Sequence, residues 1–252
     1  MTKLVIITGS SGGIGKELVN CYLESDFHVI GLDCISSDFR DLKNFQEVNC
    51  DLLKFVKDEI YRERLSKKIK ELIPKNILEF NIINNAAVQI TGDFLKLNSD
   101  HWDNTFTVNV FAPFFIVREF HEELIKNSGH VVNISSIHSK LTKKGFSCYA
   151  ASKAALESIT RSLAIELSPS GVSINSISPA AISTEMLLKG FSSNPNGINN
   201  LKDFHPSRVI GDPKELSEFI KSITRHKGSF LTGENFSITG GIQGVLHDPD
   251  SS

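Results

Sequence analysis

The chain has 252 residues, 40% hydrophobic and 22% charged, with a formal net charge of −2. That length suits a single α/β domain with a sizeable core, the average composition excludes a disordered or fibrous chain, and near-neutral interspersed charge leaves no footprint for nucleic acid or an anionic membrane. Four scattered cysteines and eight scattered histidines offer neither a C-x-x-C pair nor metal-ligand spacing, and no run is apolar enough to span a bilayer, so a reduced cytoplasmic protein without metal is expected.

In chain order, Leu4–Thr8 reads as a buried strand, since its apolar run is far shorter than a signal-peptide core. It leads directly into Thr8-Gly9-Ser10-Ser11-Gly12-Gly13-Ile14-Gly15, which opens a helix over Ile14–Ser25. Glycines suit a backbone that turns sharply and approaches a pyrophosphate, to which the helix N-terminus presents free N–H groups and partial positive charge. A tight strand-to-helix turn wants glycine for its own sake, and the spacing is not the common G-x-G-x-x-G.

The next strand, His28–Asp33, ends on a carboxylate suited to accept hydrogen bonds from adenosine ribose hydroxyls. Asp33 would repel a 2′-phosphate and Cys34 supplies no compensating cation, so NAD is expected rather than NADP. A strand over Gln46–Cys50 and a helix over Lys54–Ile73 follow; Lys67, Lys68 and Lys70 alternate there with Ile69, Leu72 and Ile73, the pattern of a solvated amphipathic face.

After a strand at Leu78–Asn84, one long helix is expected over Asp100–Lys126. Pro113 inside it cannot donate to the carbonyl of Asn109, so a kink and a freed carbonyl are expected; that carbonyl either holds a water in a proton relay towards Lys153 or simply marks a bend around the core. The strand His130–Ser135 delivers Ser136 to the edge where open α/β sheets bind ligands, in position to bond a substrate oxygen. On the helix Tyr149–Leu167, Tyr149 and Lys153 stand one turn apart on one face. A free phenol has a pKa of about 10; a neighbouring ammonium and a positive nicotinamide would lower it towards working pH and make Tyr149 an acid/base.

Strands at Ser173–Ser178 and Asn235–Thr239 and a helix at Pro213–Thr224 complete the alternation. The expected fold class is α/β, a doubly wound Rossmann-like parallel sheet with helices on both faces, in a single domain over residues 1–252. Residues 188–207, rich in Gly, Ser, Asn and Pro, are either a substrate loop that closes over the site or a plain solvent loop. Residues 242–252 read as a tail, of which Leu246–Asp250 either frays or reaches a neighbouring subunit.

With these residues in place, the chain resembles the short-chain dehydrogenase/reductase family in its compact single-domain branch, from Lys3 to about Gly241. The pattern T-G-x-x-x-G-x-G matches Thr8 to Gly15, which implies cofactor contacts at Gly9, Ser11, Gly13, Ile14 and Gly15. The acid of NAD-preferring members falls on Asp33, the pair beside adenine on Asp51-Leu52, and the N-N-A-G strand end on Asn84 to Ala87, with Asn85, Ala86 and Ala87 at the cofactor. The catalytic tetrad falls on Asn109, Ser136, Tyr149 and Lys153. The resemblance implies that Tyr149 is the acid/base, Ser136 polarises the substrate oxygen, Lys153 binds the ribose and tunes Tyr149, and Asn109 orders a relay water. The stretch Pro179 to Thr184 matches the carboxamide-binding segment, with Pro179, Ile182 and Thr184 as contacts. Three glycines of the pattern are replaced, by Ala87, Ser139 and Ala180, each adding a Cβ that narrows the pocket.

Substrate-facing candidates are Gln89, Ile90, His138, Phe146, Ala181, Met186 and Phe191, and Lys140, Lys143 and Lys144 colour the approach. A small polar substrate is expected, such as a polyol, sugar derivative or hydroxy acid, turned over by hydride transfer at a secondary alcohol or ketone carbon; His138 either faces it or is a plain surface histidine. The resemblance implies a homodimer or homotetramer through the helices carrying Asn109 and Tyr149. A non-catalytic NAD-binding sensor is the rival reading, although such proteins typically lose the tyrosine or lysine; a sugar-nucleotide epimerase would need more chain after Thr184.

Overall fold

The computed structural model describes residues 2–191, 196–228 and 230–245, excluding the Met186 side chain. Its seven parallel strands form one sheet in the order β3-β2-β1-β4-β5-β6-β7. They are β1 Thr2–Thr8, β2 Phe27–Asp33, β3 Phe45–Asn49, β4 Ile77–Asn84, β5 His130–Ile134, β6 Ser173–Pro179 and β7 Asn235–Ile238. Alternation along each strand builds two cores. Leu4, Ile6, Ile30, Leu32, Phe80 and Ile82 face one way, against helices α2 Leu52–Lys57, α3 Glu59–Leu72, α5 Ala112–Glu119, α6 His121–Lys126 and α7 Ser147–Leu167. Val5, Ile7, Val29, Ile83 and Val132 face the other way, against α1 Gly13–Leu23 and α10 Pro213–Thr224. This is the doubly wound architecture that the alternation implied. Because the order reverses between β1 and β4, a crevice opens at the carboxyl ends of these strands, and the functional candidates gather there.

Three expected elements differ. The helix anticipated over Lys54–Ile73 is two, because the Asp58 side chain accepts the Tyr61 N–H at 3.0 Å and caps a new start. The helix anticipated over Asp100–Lys126 is α4 Ser99–Phe106, a π-helical stretch Thr107–Phe111, then α5 and α6. Pro113 directly follows that wider coil, in which the Ala112 N–H bonds the Thr107 carbonyl. The anticipated loop at residues 188–207 is largely helical among the described residues: α8 Glu185–Gly190 runs into it and α9 Gly197–Phe204 lies within it, while 192–195 lie outside the description. The tail segment Leu246–Asp250 also lies outside the described residues. Among the described residues no helix is long and apolar enough to cross a membrane, and no group of three or more His, Cys, Asp or Glu could hold a metal ion.

Candidate active site

The glycine turn is built by close approach. Gly9 lies in the left-handed region at φ +66°, and a Cβ on Gly15 would stand 1.9 Å from the Gly9 carbonyl oxygen, so only glycine allows this turn. Gly13 abuts the Thr184 side chain, bringing the turn against the segment after β6. Gly12 caps α1 without a side-chain bond and the first turn carries no acidic residue, so the amides of that turn have no local side-chain acceptor. Ile14 is half-buried beside them.

Two clamps hold the turn. The Asp33 carboxylate accepts the Ser11 N–H at 2.9 Å and the Ile35 N–H at 3.1 Å, while Ser11 Oγ donates to the Ile35 carbonyl. On the other side, Thr8 Oγ1 accepts the Asn85 and Ala86 N–H groups, and the Asn85 amide donates to the Thr8 and Gly9 carbonyls at 3.1 Å each. The sequence marked Asn85 and Thr8 only as parts of family patterns and did not pair them; a hydroxyl at the end of β1 facing the end of β4 was the signal. Ala87 follows, half-buried.

Asp51 spends its Oδ1 on the Leu53 and Lys54 N–H groups, capping α2, with Leu52 half-buried as that helix begins. Pro179 and Ile182 are buried, Ile182 bridging to Gly211, and Thr184 Oγ1 caps α8 by accepting the Leu187 N–H at 3.3 Å.

Asn109 sits in the π-helical stretch with no exposure. Its Oδ1 accepts the Val88 N–H at 2.8 Å, and its Nδ2 donates to the Val88 carbonyl at 2.9 Å and to Ser152 Oγ at 3.0 Å. The side chain therefore pins the loop after β4 to α7, a role its sequence neighbours do not announce.

Ser136, Tyr149 and Lys153 come together at the end of β5. Lys153 is buried; its Nζ donates to the Ile134 carbonyl at 2.7 Å and lies 5.7 Å from the centre of the Tyr149 ring. Burial lowers its pKa to about 7. Burial also raises the Tyr149 phenol, opposed by the Ser136 side chain. Lys153 stands beside the ring as the helix spacing implies, and the lowering expected of it belongs to a site that also holds a positive nicotinamide. Ser136 Oγ accepts the His138 N–H at 3.2 Å and starts a 3₁₀ turn over Ile137–Ser139.

Of the substrate candidates, His138 and Phe146 join Tyr149. The imidazole stacks on Phe146 at 4.3 Å between centroids and meets Tyr149 edge-on at 6.0 Å, with Lys143 Nζ 4.7 Å from the Phe146 centroid. Burial, and next Lys143, lower the His138 pKa to about 4, so the ring is neutral near pH 7, with Nδ1 3.2 Å from Thr142 Oγ1. Gln89 is exposed and Ile90 half-buried on the loop whose Gly92 N–H bonds the Gly145 carbonyl at 2.9 Å, next to Phe146. Ala181 and Phe191 are half-buried, and Lys140, Lys143 and Lys144 are exposed. The Met186 side chain lies outside the description.

Comparison with known proteins converges on one group. The sequence profile of the family described as short chain dehydrogenase matches residues 3–194. An NAD-dependent glycerol dehydrogenase of Listeria innocua serovar 6a is 29% identical over 241 residues, covering 95% of this chain and 93% of that enzyme. Among solved structures, 4-hydroxyisoleucine dehydrogenase complexed with NADH superposes with a TM-score of 0.86 at 28% identity, over 97% of this chain and 100% of that one. ElxO with NADP bound superposes with a TM-score of 0.85 at 24% identity, over 97% and 100%, a likeness of fold alone.

Proposed function

Since the chain belongs to the short-chain dehydrogenase/reductase family of oxidoreductases, we propose that it is an NAD-dependent dehydrogenase of small polar secondary alcohols, with Tyr149 as its acid/base. The observation that carries this reading is the meeting of Ser136, Tyr149 and the buried Lys153 at one strand end, beside a glycine turn that a Cβ would fill.

The crevice fits a dinucleotide. The α1 N-terminus offers amides to a pyrophosphate, and each Asp33 oxygen already takes one backbone N–H and retains capacity for a ribose hydroxyl. That carboxylate repels a 2′-phosphate, the basis for preferring NAD. Asp51, Leu52, Asn85, Ala86 and Ala87 border the adenosine half, and Pro179, Ile182 and Thr184 the nicotinamide half. When bound, the nicotinamide supplies the hydride acceptor. Ser136 donates its hydroxyl hydrogen to the substrate oxygen, and Tyr149 takes the alcohol proton as the carbon gives up its hydride. Lys153, held at the end of β5 by Ile134, steadies the phenolate by its charge. Asn109 fixes the loop after β4 and so the floor of the pocket.

The neutral His138 and exposed Gln89 give hydrogen-bonding edges, and Lys143 a charge, to a polyol, sugar derivative or hydroxy acid. In this reading α8 and α9, the described helices of the 188–207 segment, close over the substrate. Trp102, Phe111 and Phe114 stay exposed along α4, the π-helical stretch and α5, which suits a homo-oligomer formed through these helices and α7. Screening NAD⁺ and NADP⁺ with polyols, sugars, hydroxy acids and apolar alcohols, by absorbance of the reduced cofactor, tests the reading. Turnover of polar alcohols with NAD⁺ is expected; turnover of apolar alcohols alone, or with NADP⁺ alone, would overturn the substrate or cofactor assignment.

A further inference from the structure

We propose that Glu157 is a positioning residue that ties the catalytic strand end to the cofactor strand end. Its Oε1 accepts the Ser135 hydroxyl at 3.0 Å and the Ser178 hydroxyl at 2.6 Å. Ser135 immediately precedes Ser136, and Ser178 immediately precedes Pro179, where the stretch assigned to the nicotinamide half begins. One oxygen therefore links the two segments whose spacing sets the distance between substrate and nicotinamide. The inference rests on the hydride-transfer reading given above.

The placement follows from helix pitch. Tyr149, Lys153 and Glu157 are successive steps of four along α7, and Thr160 continues the same face. Each side chain below Tyr149 meets the sheet in order: Lys153 bonds the Ile134 carbonyl, Glu157 bonds Ser135 and Ser178, and Thr160 accepts from Asn133 Nδ2 at 2.8 Å. Glu157 is only 5% exposed and forms no ion pair with any described residue. A buried carboxylate without a cation is costly, and a hydrophobic residue would fill the space more cheaply. What this acid adds is an acceptor able to take two converging hydroxyls.

Both serines have a second acceptor in reach: the Lys153 carbonyl lies 3.2 Å from Ser135 Oγ, and Asn235 Oδ1 lies 3.0 Å from Ser178 Oγ. Loss of the carboxylate leaves neither hydroxyl stranded but turns them towards different partners and cuts the link. Glu157→Ala should therefore fold, with its strand ends loosened. Glu157→Gln keeps an Oε1 acceptor and should behave like the wild type.

The test measures backbone hydrogen exchange in segments 134–136 and 178–182, together with kcat, KM for NAD⁺ and the primary deuterium isotope effect on hydride transfer. Glu157→Ala should show faster exchange in both segments, kcat lower by about ten- to a hundredfold, little change in KM for NAD⁺, and an altered isotope effect. Glu157→Gln should restore all of these. Wild-type exchange and kcat in Glu157→Ala, faster exchange in one segment alone, or an equal loss in Glu157→Gln would each overturn the proposal. Should Glu157→Ala fail to fold, Ser178→Ala cuts one arm of the link and is held to the same criteria. If the wild type transfers no hydride, the dehydrogenase reading falls, while hydrogen exchange still decides whether Glu157 couples the two segments.

Discussion

The Lys153 ammonium lies 5.7 Å from the centre of the Tyr149 ring while its hydrogen bond goes to the Ile134 carbonyl. The cation is thus fixed by the strand and not by the phenol, so it stays in place whichever protonation state Tyr149 holds. Its cost is desolvation, which pulls the lysine pKa from 10.5 to about 7.

A stability signature follows from that shift. Between the folded value near 7 and the ordinary 10.5, the unfolded chain binds the proton more tightly than the folded one, so folding stability rises with pH across this window. The penalty is greatest below pH 7, where both states are charged. Lys153→Met should remove this rise, which amounts to a few kcal/mol on the order-of-magnitude scale of proton linkage. Urea unfolding of both proteins at several pH values checks it; parallel curves would contradict the assignment.

His138 gives a second limb of the same sign at lower pH. Its pKa falls from 6.5 to about 4 on folding. Its contribution is therefore complete above 6.5 and is lost as the pH falls through 4, because the unfolded chain takes the proton first. His138→Gln should flatten the acid side of a Tm-against-pH profile. At neutral pH the ring is uncharged, so the KM for substrate should not follow a histidine titration between about 6 and 8.

Asn109 makes a stability prediction of a different kind. Asn109→Leu leaves the part-buried Val88 N–H and carbonyl without their partner and removes a bond to Ser152. A loss of about 2–4 kcal/mol is expected from stranded polar groups of this sort, measurable as a lower denaturant midpoint. An unchanged midpoint would mean that the loop after β4 is held by something else.

Much of this was open to a reader of the residues alone. Tyr149 and Lys153, the glycine turn and Asp33 stand in local patterns whose geometry follows from helix pitch and strand ends. The alternation of apolar runs set the sheet for the same reason. What escaped depended on distant pairs. The Asn109–Val88 bridge, the Thr8–Asn85 clamp and the Glu157 link join residues from separate elements, and only the packed fold shows them. Asp58 and Pro113 reshaped two helices because capping and the π-helical stretch answer to neighbours that periodicity does not weigh. Burial, which raises the Tyr149 phenol, also has no signature at the level of spacing.

Asp33 should govern the choice of dinucleotide. Asp33→Ser removes the charge that opposes a 2′-phosphate and also the acceptor for the Ser11 and Ile35 amides. KM for NAD⁺ should rise, and the NADP⁺-to-NAD⁺ ratio of kcat/KM should increase by about tenfold or more, equivalent to ~1.4 kcal/mol. An unchanged ratio would place the discrimination elsewhere.

The phenol at position 149 carries the whole reading, and replacing it isolates the proton transfer. With an alcohol that the wild type oxidises, single-turnover reduction of NAD⁺ by Tyr149→Phe should be slower by about 10²- to 10⁴-fold, with NAD⁺ binding unchanged by fluorescence titration. A variant that reduces NAD⁺ at the wild-type rate would show that another group moves the proton, and the assignment of Tyr149 would be wrong.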